Sequence, residues 1–177
     1  MNKLRIGICG WGNVATGLFR TLETNHEEIK KRGNLKIEIT VIGARRDNPK
    51  CNPGNVNIER DIFKVIDHDI DVVVELIGGV DVARDLILKA LNAKKHVVTA
   101  NKAVIFNHGD ELFRVANKNG VKLLYESSVC AGTPIIKLLN QELAASKISK
   151  ISGMLNGTSN YILSNMEEGM EFEPTLK

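Results

Sequence analysis

The sequence predicts an α/β chain, a doubly wound parallel sheet followed by the beginning of an incomplete α+β domain, and three observations carry that reading. Short apolar strands alternate with amphipathic helices from residue 4 to residue 125. Such alternation implies crossover connections and a parallel sheet. The first strand runs straight into a glycine-rich turn, Gly10-Trp11-Gly12, and then into a helix. Past residue 125 the pattern changes to a loop of small residues and a different order of elements. The expected domains are therefore residues 1–125 and residues 126–177.

Taken in order, residues 4–9 form a short apolar strand. A helix follows from Asn13, with Val14, Leu18 and Leu22 at i, i+4 and i+8 and Phe19 beside them, and Gly33 is expected to stop it. Leu35, Ile37, Ile39 and Val41 alternate with Lys36, Glu38 and Thr40, the period of a half-exposed strand. Residues 47–54, holding Pro49 and Pro53, read as a loop. Residues 71–77 are nearly continuous in apolar character and end on Gly78-Gly79, as expected of a strand covered on both faces.

Val82, Leu86 and Ala90 with Ala83, Ile87 and Leu91 give the next helix, residues 96–99 a strand, and residues 110–118 a helix closed by Asn119-Gly120. Residues 121–125 form the last strand of the sheet. Beyond it the pattern gives a helix over 134–144 with Pro134 in its first turn, a strand over 148–155, and a helix from Thr158. A segment of roughly 50 residues has difficulty closing a core of its own, so residues 126–177 read as the opening of a catalytic or oligomerising domain.

Composition narrows the function. The chain has 177 residues, 43% hydrophobic and 25% charged, enough for one full domain and part of another. Its 24 basic and 21 acidic side chains are interspersed and leave a net charge of only +3, which gives no footprint for nucleic acid or an anionic membrane. No run approaches the roughly 20 apolar residues of a membrane span, and the first residues lack the apolar stretch of a signal peptide. A cytoplasmic location is the expectation. Cys9, Cys51 and Cys130 are widely spaced, without CxxC pairs or flanking histidines, and read as reduced thiols. Cys130, between Val129 and Ala131, has no partner base in the sequence that would make it a nucleophile.

The chemistry is carried by four places. Gly10, Gly12 and Ala15 match G-x-G-x-x-(G/A) between a strand and a helix, the dinucleotide-binding turn of a Rossmann sheet. Gly10 permits the turn, Gly12 lets a pyrophosphate approach the N–H groups at the helix start, and Ala15 keeps helix and strand close. At the end of the second strand, where an acid would bind a ribose 2′-hydroxyl, stands Gly43-Ala44-Arg45-Arg46. Guanidinium groups there suit a 2′-phosphate, so NADP is preferred and NAD stays possible. Asp47 follows at once and could still reach a ribose, and a solvated loop pair is the other reading of Arg45 and Arg46.

Gly78-Gly79, Thr99-Ala100 and Lys102 fall at the carboxyl ends of successive strands, the edge where open α/β sheets bind ligands. An ammonium at Lys102 can hold a cofactor or polarise a reacting oxygen, and placement alone does not choose between them. Glu126, with Val129, Ala131 and Thr133 following in a tight loop, offers one carboxylate and several backbone carbonyls, an oxygen shell a hard cation accepts. A solvated or capping glutamate is the simpler reading of Glu126.

Four stretches together resemble the homoserine dehydrogenase family: residues 6–14, Ile6-Gly7-Ile8-Cys9-Gly10-Trp11-Gly12-Asn13-Val14; residues 98–103, Val98-Thr99-Ala100-Asn101-Lys102-Ala103; residues 125–134 around Glu126 and Thr133; and residues 155–163 around Asn156-Gly157-Thr158. The first is shared with many Rossmann enzymes, and the other three in this order are specific. The resemblance implies an NAD(P)-dependent oxidoreductase that passes a hydride between NADPH and L-aspartate 4-semialdehyde to give L-homoserine, in threonine, methionine and isoleucine biosynthesis.

It implies further that the dinucleotide lies on Gly10, Gly12, Asn13 and Val14. Ala44 and Arg45 would stand near the adenosine phosphate, and Gly78, Thr99 and Lys102 would line the cleft. Lys102 would serve the reacting oxygen as the catalytic residue. Glu126 and the carbonyls of Val129, Ala131 and Thr133 would hold a monovalent cation, usually sodium, and Gly157 and Thr158 would meet the amino-acid substrate. The family's full-length members are expected to be homodimers. They also carry a second active-site lysine and substrate-binding acids in a segment expected beyond these 177 residues. A dinucleotide-binding module without turnover, or another two-domain oxidoreductase of amino-acid biosynthesis, are the competing readings, and the Asn156-Gly157-Thr158 loop argues against the latter.

Overall fold

Strand β1 (Asn2–Cys9) sits at the centre of the architecture because its apolar side chains feed both faces of a sheet. The computed structural model describes residues 2–154 and 156–176. The chain divides into two units, Met1–Ser128 and Val129–Lys177. In the first, β1 is followed by α1 (Asn13–Thr24), α2 (His26–Gly33), β2 (Leu35–Gly43), β3 (Asn57–Glu59), β4 (Val72–Glu75), α3 (Asp81–Asn92), β5 (His96–Thr99), α4 (Lys102–Asn119) and β6 (Leu123–Leu124). All six strands are parallel, in the order β3-β2-β1-β4-β5-β6. The expected doubly wound sheet is the one observed, and its strand order reverses between β1 and β4, where such sheets open a crevice for ligands.

Two apolar layers cover the sheet. Val73, Val97, Leu86, Ile87, Leu91 and Leu112 pack on one face, and Ile6, Ile8, Trp11, Ala15, Phe19, Ile42, Val72 and Val74 on the other. Strand β4 thus sends alternate side chains into both layers, which is why its sequence is almost unbroken valine. Each fully buried Leu, Ile or Val contributes about 1.5–3 kcal/mol relative to exposure. Gly7 and Gly43 leave room for a two-turn 3-10 helix, Ile62–Asp67, to lie against the sheet: a Cβ on either would stand 2.7 Å from a Val65 methyl.

The structure departs from the expected elements in several places, each for a physical reason. The first helix is two helices, broken at Asn25, whose backbone leaves the helical region (φ −104°, ψ 15°), and α2 buries no residue. The stop is Asn34 in the left-handed region (φ 47°), one residue past Gly33, which remains helical. Val14 and Val82, expected in apolar stripes, are 61% and 52% exposed; the buried stripe of α1 is Ala15, Thr16 and Phe19, and that of α3 starts at Ala83. Strand β3 and the 3-10 turn were not expected. The fourth helix begins at Lys102 rather than at residue 110, since Asn101 caps it and Val104 adds a buried position ahead of Gly109 and Leu112. Its end at Gly120, left-handed at φ 67°, is as expected.

The second unit contains α5 (Ile135–Lys137), continued as a wider π-type turn over Leu138–Glu142, then α6 (Gly157–Glu167) and α7 (Phe172–Thr175). The expected helix over 134–144 is therefore present only as irregular helical turns. Residues 148–154 of the expected strand form no ladder, and residue 155 lies outside the described residues. A strand requires a paired edge, and the described residues of this unit include no other strand, so Ile148, Ile151 and Met154 are exposed. Among the described residues no helix is long and apolar enough to cross a membrane.

Candidate functional site

The site is built where β1, β2 and β4 end. Gly10 leaves β1 at φ +104°, its N–H donating to the Gly43 carbonyl (2.8 Å), and a Cβ on it would lie 2.6 Å from the Leu76 oxygen. Only glycine fits that conformation and that approach. Gly12 then stands as the residue before α1 in extended backbone; a Cβ there would meet nothing within 4 Å, and the first turn of α1 has no side-chain cap and no acidic residue. Those N–H groups and the helix dipole favour an anion. Ala15 is fully buried one turn on, holding α1 against the sheet.

Around this turn lies a cleft of about 620 Å³ lined by Gly10, Gly12, Ala44, Arg45, Arg46, Gly78 and their neighbours. Its size suits a dinucleotide half or a drug-sized ligand. Val82, exposed where a core position was expected, is one of its walls. A smaller cleft of about 330 Å³ lies at the opposite, amino-terminal edge of the sheet, between Leu22, His26 and Ile37, and has no glycine turn.

The loop after β2 is held by Arg60 and Asn48, which no sequence motif marks. Arg60 donates from Nη1 to the Ala44 carbonyl (3.2 Å) and from Nη2 to Asp47 Oδ1 (2.7 Å). Asp47 is thus paired with a cation, while Arg45 and Arg46 are exposed beside the cleft. Asn48 donates from Nδ2 to the Trp11 carbonyl (3.0 Å) and to the Thr16 hydroxyl (3.1 Å), tying this loop to the glycine turn. Trp11 itself is buried edge-on against Phe19, ring centres 5.3 Å apart. An Asn two residues before a Lys-Cys-Asn-Pro loop was the available signal, and its side-chain amide is what the tie uses.

On the other side of the switch point, Gly78 and Gly79 both turn through the left-handed region at φ 70° and 75°. Beneath them Glu75 is fully buried at the end of β4. The Ile77 N–H donates to its Oε1 (2.9 Å) and the Thr99 hydroxyl to its Oε2 (2.5 Å). Thr99 Oγ1 also accepts the Asn101 N–H (3.0 Å), and the Thr99 carbonyl accepts the Ser128 hydroxyl (2.9 Å). The Thr99 side chain is therefore buried and engaged, whereas Lys102, three residues on, is exposed at the first position of α4. A lone carboxylate within the apolar run 72–77 was the signal for Glu75.

Of the remaining candidates, Asn13 and Val14 are exposed on the first turn of α1, outside the residues that line the cleft. Glu126 lies in the first unit on a 3-10 turn, Glu126–Ser128. Val129, Ala131 and Thr133 open the second unit, around a chain reversal with Gly132 at φ +84°. Gly157 and Thr158 start α6, capped by Asn156, whose side chain accepts the Ser159 N–H (3.0 Å).

Comparison with known proteins decides the family. Residues 10–126 match the family model described as the homoserine dehydrogenase NAD binding domain, and residues 134–177 the one described as homoserine dehydrogenase. This chain belongs to the homoserine dehydrogenase family. The homoserine dehydrogenase of Pseudomonas aeruginosa is 48% identical over 99% of this chain and 41% of its own length, and that of Synechocystis 43% over 98% and 40%. The crystal structure of a homoserine dehydrogenase from Thiobacillus denitrificans, 39% identical, superposes with a TM-score of 0.92 over 99% of this chain and 42% of that one. The Staphylococcus aureus enzyme gives 0.76 at 36% identity, over 99% and 44%. The chain thus spans about two fifths of the length of the curated homoserine dehydrogenases it matches.

The match to the family's dinucleotide-binding domain includes Gly10, the glycine whose conformation shapes the cleft. A nicotinamide dinucleotide fits the cradle found there: an uncapped helix start, an open face at Gly12 and two exposed guanidinium groups.

Proposed function

We propose that this chain supplies the dinucleotide-binding half of an enzyme that interconverts L-aspartate 4-semialdehyde and L-homoserine, with NADPH preferred to NADH. The carrying observation is the cleft at the switch point, with Gly10 and Gly12 on one side and Arg45 and Arg46 on the other. Gly12 and the start of α1, with Asn13 and Val14, take the pyrophosphate; Ala44 and Arg45 take the adenosine end; Gly78, Thr99 and Lys102 border the nicotinamide side. When bound, the nicotinamide supplies the hydride. Lys102 holds and polarises the substrate oxygen, an interaction that strengthens as negative charge develops on it.

In the same reading residues 126–177 begin the substrate domain. Gly157 and Thr158 meet the amino-acid part of the substrate, and Glu126 with the carbonyls of Val129, Ala131 and Thr133 holds a sodium ion with a structural rather than a catalytic role. The full-length protein acts as a cytoplasmic homodimer in the aspartate family of amino-acid biosynthesis. Titration with NADPH and NADH, followed by NADPH oxidation with aspartate semialdehyde, tests the proposal. Tighter binding of NADPH and turnover of the aldehyde by the full-length protein support it. Failure to bind either dinucleotide overturns it, and an NADH preference unaffected by Arg45→Ala overturns the 2′-phosphate assignment.

A further inference from the structure

We infer that Glu75 is a positioning residue, a buried carboxyl that sets both the Gly78-Gly79 turn and the start of α4, and through them the place of Lys102. The inference rests on the assignment of Lys102 and Gly78 to the dinucleotide. Strands β4 and β5 are neighbours in register, Glu75 opposite Thr99, so their last side chains meet. Glu75 spends one oxygen on each of the two loops that leave this edge. Oε1 accepts the Ile77 N–H (2.9 Å), which shapes the turn into Gly78 and Gly79. Oε2 accepts the Thr99 hydroxyl (2.5 Å), whose oxygen in turn accepts the Asn101 N–H (3.0 Å).

Asn101 closes the circuit. Its Nδ2 donates to the Gly79 carbonyl (2.6 Å), and its Oδ1 accepts the Val104 N–H (3.2 Å) as the cap of α4. Lys102 is the next residue, and its backbone is fixed by that cap. Glu75, Thr99, Asn101 and Gly79 thus form a ring of hydrogen bonds beneath the edge, Glu75 and Thr99 fully buried. Two donors converge on Glu75 from different loops, so both of its oxygens must accept. A glutamine presents one acceptor and one donor, and whichever way it turns, one of the two donors loses its partner. An unsatisfied buried donor is costly enough to move a loop.

The test combines exchange and binding. In Glu75→Gln, amide hydrogen exchange at Ile77, Asn101 and Val104 should speed up while the core of α3 stays protected, and NADPH affinity should fall about tenfold, the scale of one orphaned buried hydrogen bond. Thr99→Val should reproduce both effects, and Thr99→Ser, which keeps the hydroxyl, should leave exchange and affinity as in the parent chain. In a double-mutant cycle with Lys102→Ala, Glu75→Gln should cost less in NADPH affinity than it does alone, because the part of its effect that acts through Lys102 is already lost and only the part through the Gly78-Gly79 turn remains. Additive losses, or unchanged exchange at Asn101 and Val104, would overturn the inference. If Lys102→Ala alone leaves affinity unchanged, the assignment of Lys102 to the cofactor fails instead, and the exchange data decide Glu75 by themselves.

Discussion

Gly10 and Leu76 lie so close that a methyl group on the first would stand 2.6 Å from the carbonyl oxygen of the second. The contact joins the ends of β1 and β4, with Gly10 at φ +104°. Gly10→Ala meets two obstacles at once, a backbone conformation that L residues rarely adopt and a backbone atom that cannot step aside. The expected loss is at least about 2 kcal/mol of folding free energy, read from urea unfolding, together with loss of dinucleotide binding.

Gly12→Ala should behave in the opposite way. Its backbone is extended (φ −92°, ψ −161°) and a Cβ there meets nothing within 4 Å. Stability should stay within about 0.5 kcal/mol of the parent chain. The added methyl would take up open space at the proposed pyrophosphate turn, however, and dinucleotide affinity should drop by about tenfold or more if a pyrophosphate must approach the N–H groups there. A titration that shows wild-type affinity for Gly12→Ala would remove the turn from the binding site.

These two glycines stand apart in the structure although the motif treats them alike, and the difference shows how far the sequence can be read. Periodicity located the parallel sheet and the carboxyl edge on which Gly78, Thr99 and Lys102 fall, because alternating strands and helices leave a strong pattern. It did not locate the start of α4. The apolar residues between 102 and 109 include Phe106, which is 87% exposed, and Gly109 weakens the helical pattern; the decisive feature is the Asn101 cap, a single side chain. Strand β3, of three residues, is too short to leave a period at all. The Glu75 ring and the Arg60 clasp depend on contacts between residues far apart in sequence, which no local pattern carries. The strand expected over 148–155 illustrates the reverse error: alternating apolar residues promise a strand only where an edge is present to pair with it.

Thiol reactivity should follow burial. Cys9 is fully buried, and burial first, then the nearby Glu75 charge, pushes its thiol up to about 12. Cys51, in the loop after β2, is 7% exposed, while Cys130 is only partly covered. A disulfide reagent at pH 8 should therefore titrate one thiol in the folded chain and three in denaturant. Rapid reaction of two or more thiols under native conditions would contradict the packing of α1 and the 3-10 turn on the sheet.

Acid sensitivity should centre on Arg5 and Asp71, at the edge of the sheet opposite the cleft. The Arg5 guanidinium donates to both Asp71 oxygens (3.2 and 2.8 Å) and the Arg5 N–H adds a third bond (2.8 Å), which together hold the Asp71 carboxyl below the usual aspartate range. A depressed folded-state value stabilises the fold above the unfolded value of about 3.9, and that contribution is lost as pH falls through the folded one. Urea midpoints measured between pH 7 and pH 2 should drop more steeply below about pH 4 in the parent chain than in Asp71→Asn, which starts lower and has no such carboxylate to protonate. Parallel curves would show that the pair does not govern acid unfolding.

Arg60 should tune cofactor choice without touching the cofactor. Its guanidinium pairs with Asp47 at 2.7 Å and holds the Ala44 carbonyl, so the loop after β2 presents Arg45 and Arg46 with the neighbouring carboxylate neutralised. In Arg60→Gln the Asp47 charge is uncompensated beside those two guanidinium groups. An NADP 2′-phosphate would then meet a weakened positive field, whereas an NAD ribose would meet a carboxylate free to accept its hydroxyls. The ratio of NADPH to NADH affinity should fall about threefold to tenfold at low salt and less at 0.5 M salt, because Asp47 is exposed and its field is screened. Arg60→Gln combined with Asp47→Asn should recover most of the ratio, since the second change removes the charge that the first released. A ratio unmoved by Arg60→Gln at low salt would mean that Asp47 lies too far from the adenosine end to matter, and that Arg60 serves only to hold the loop.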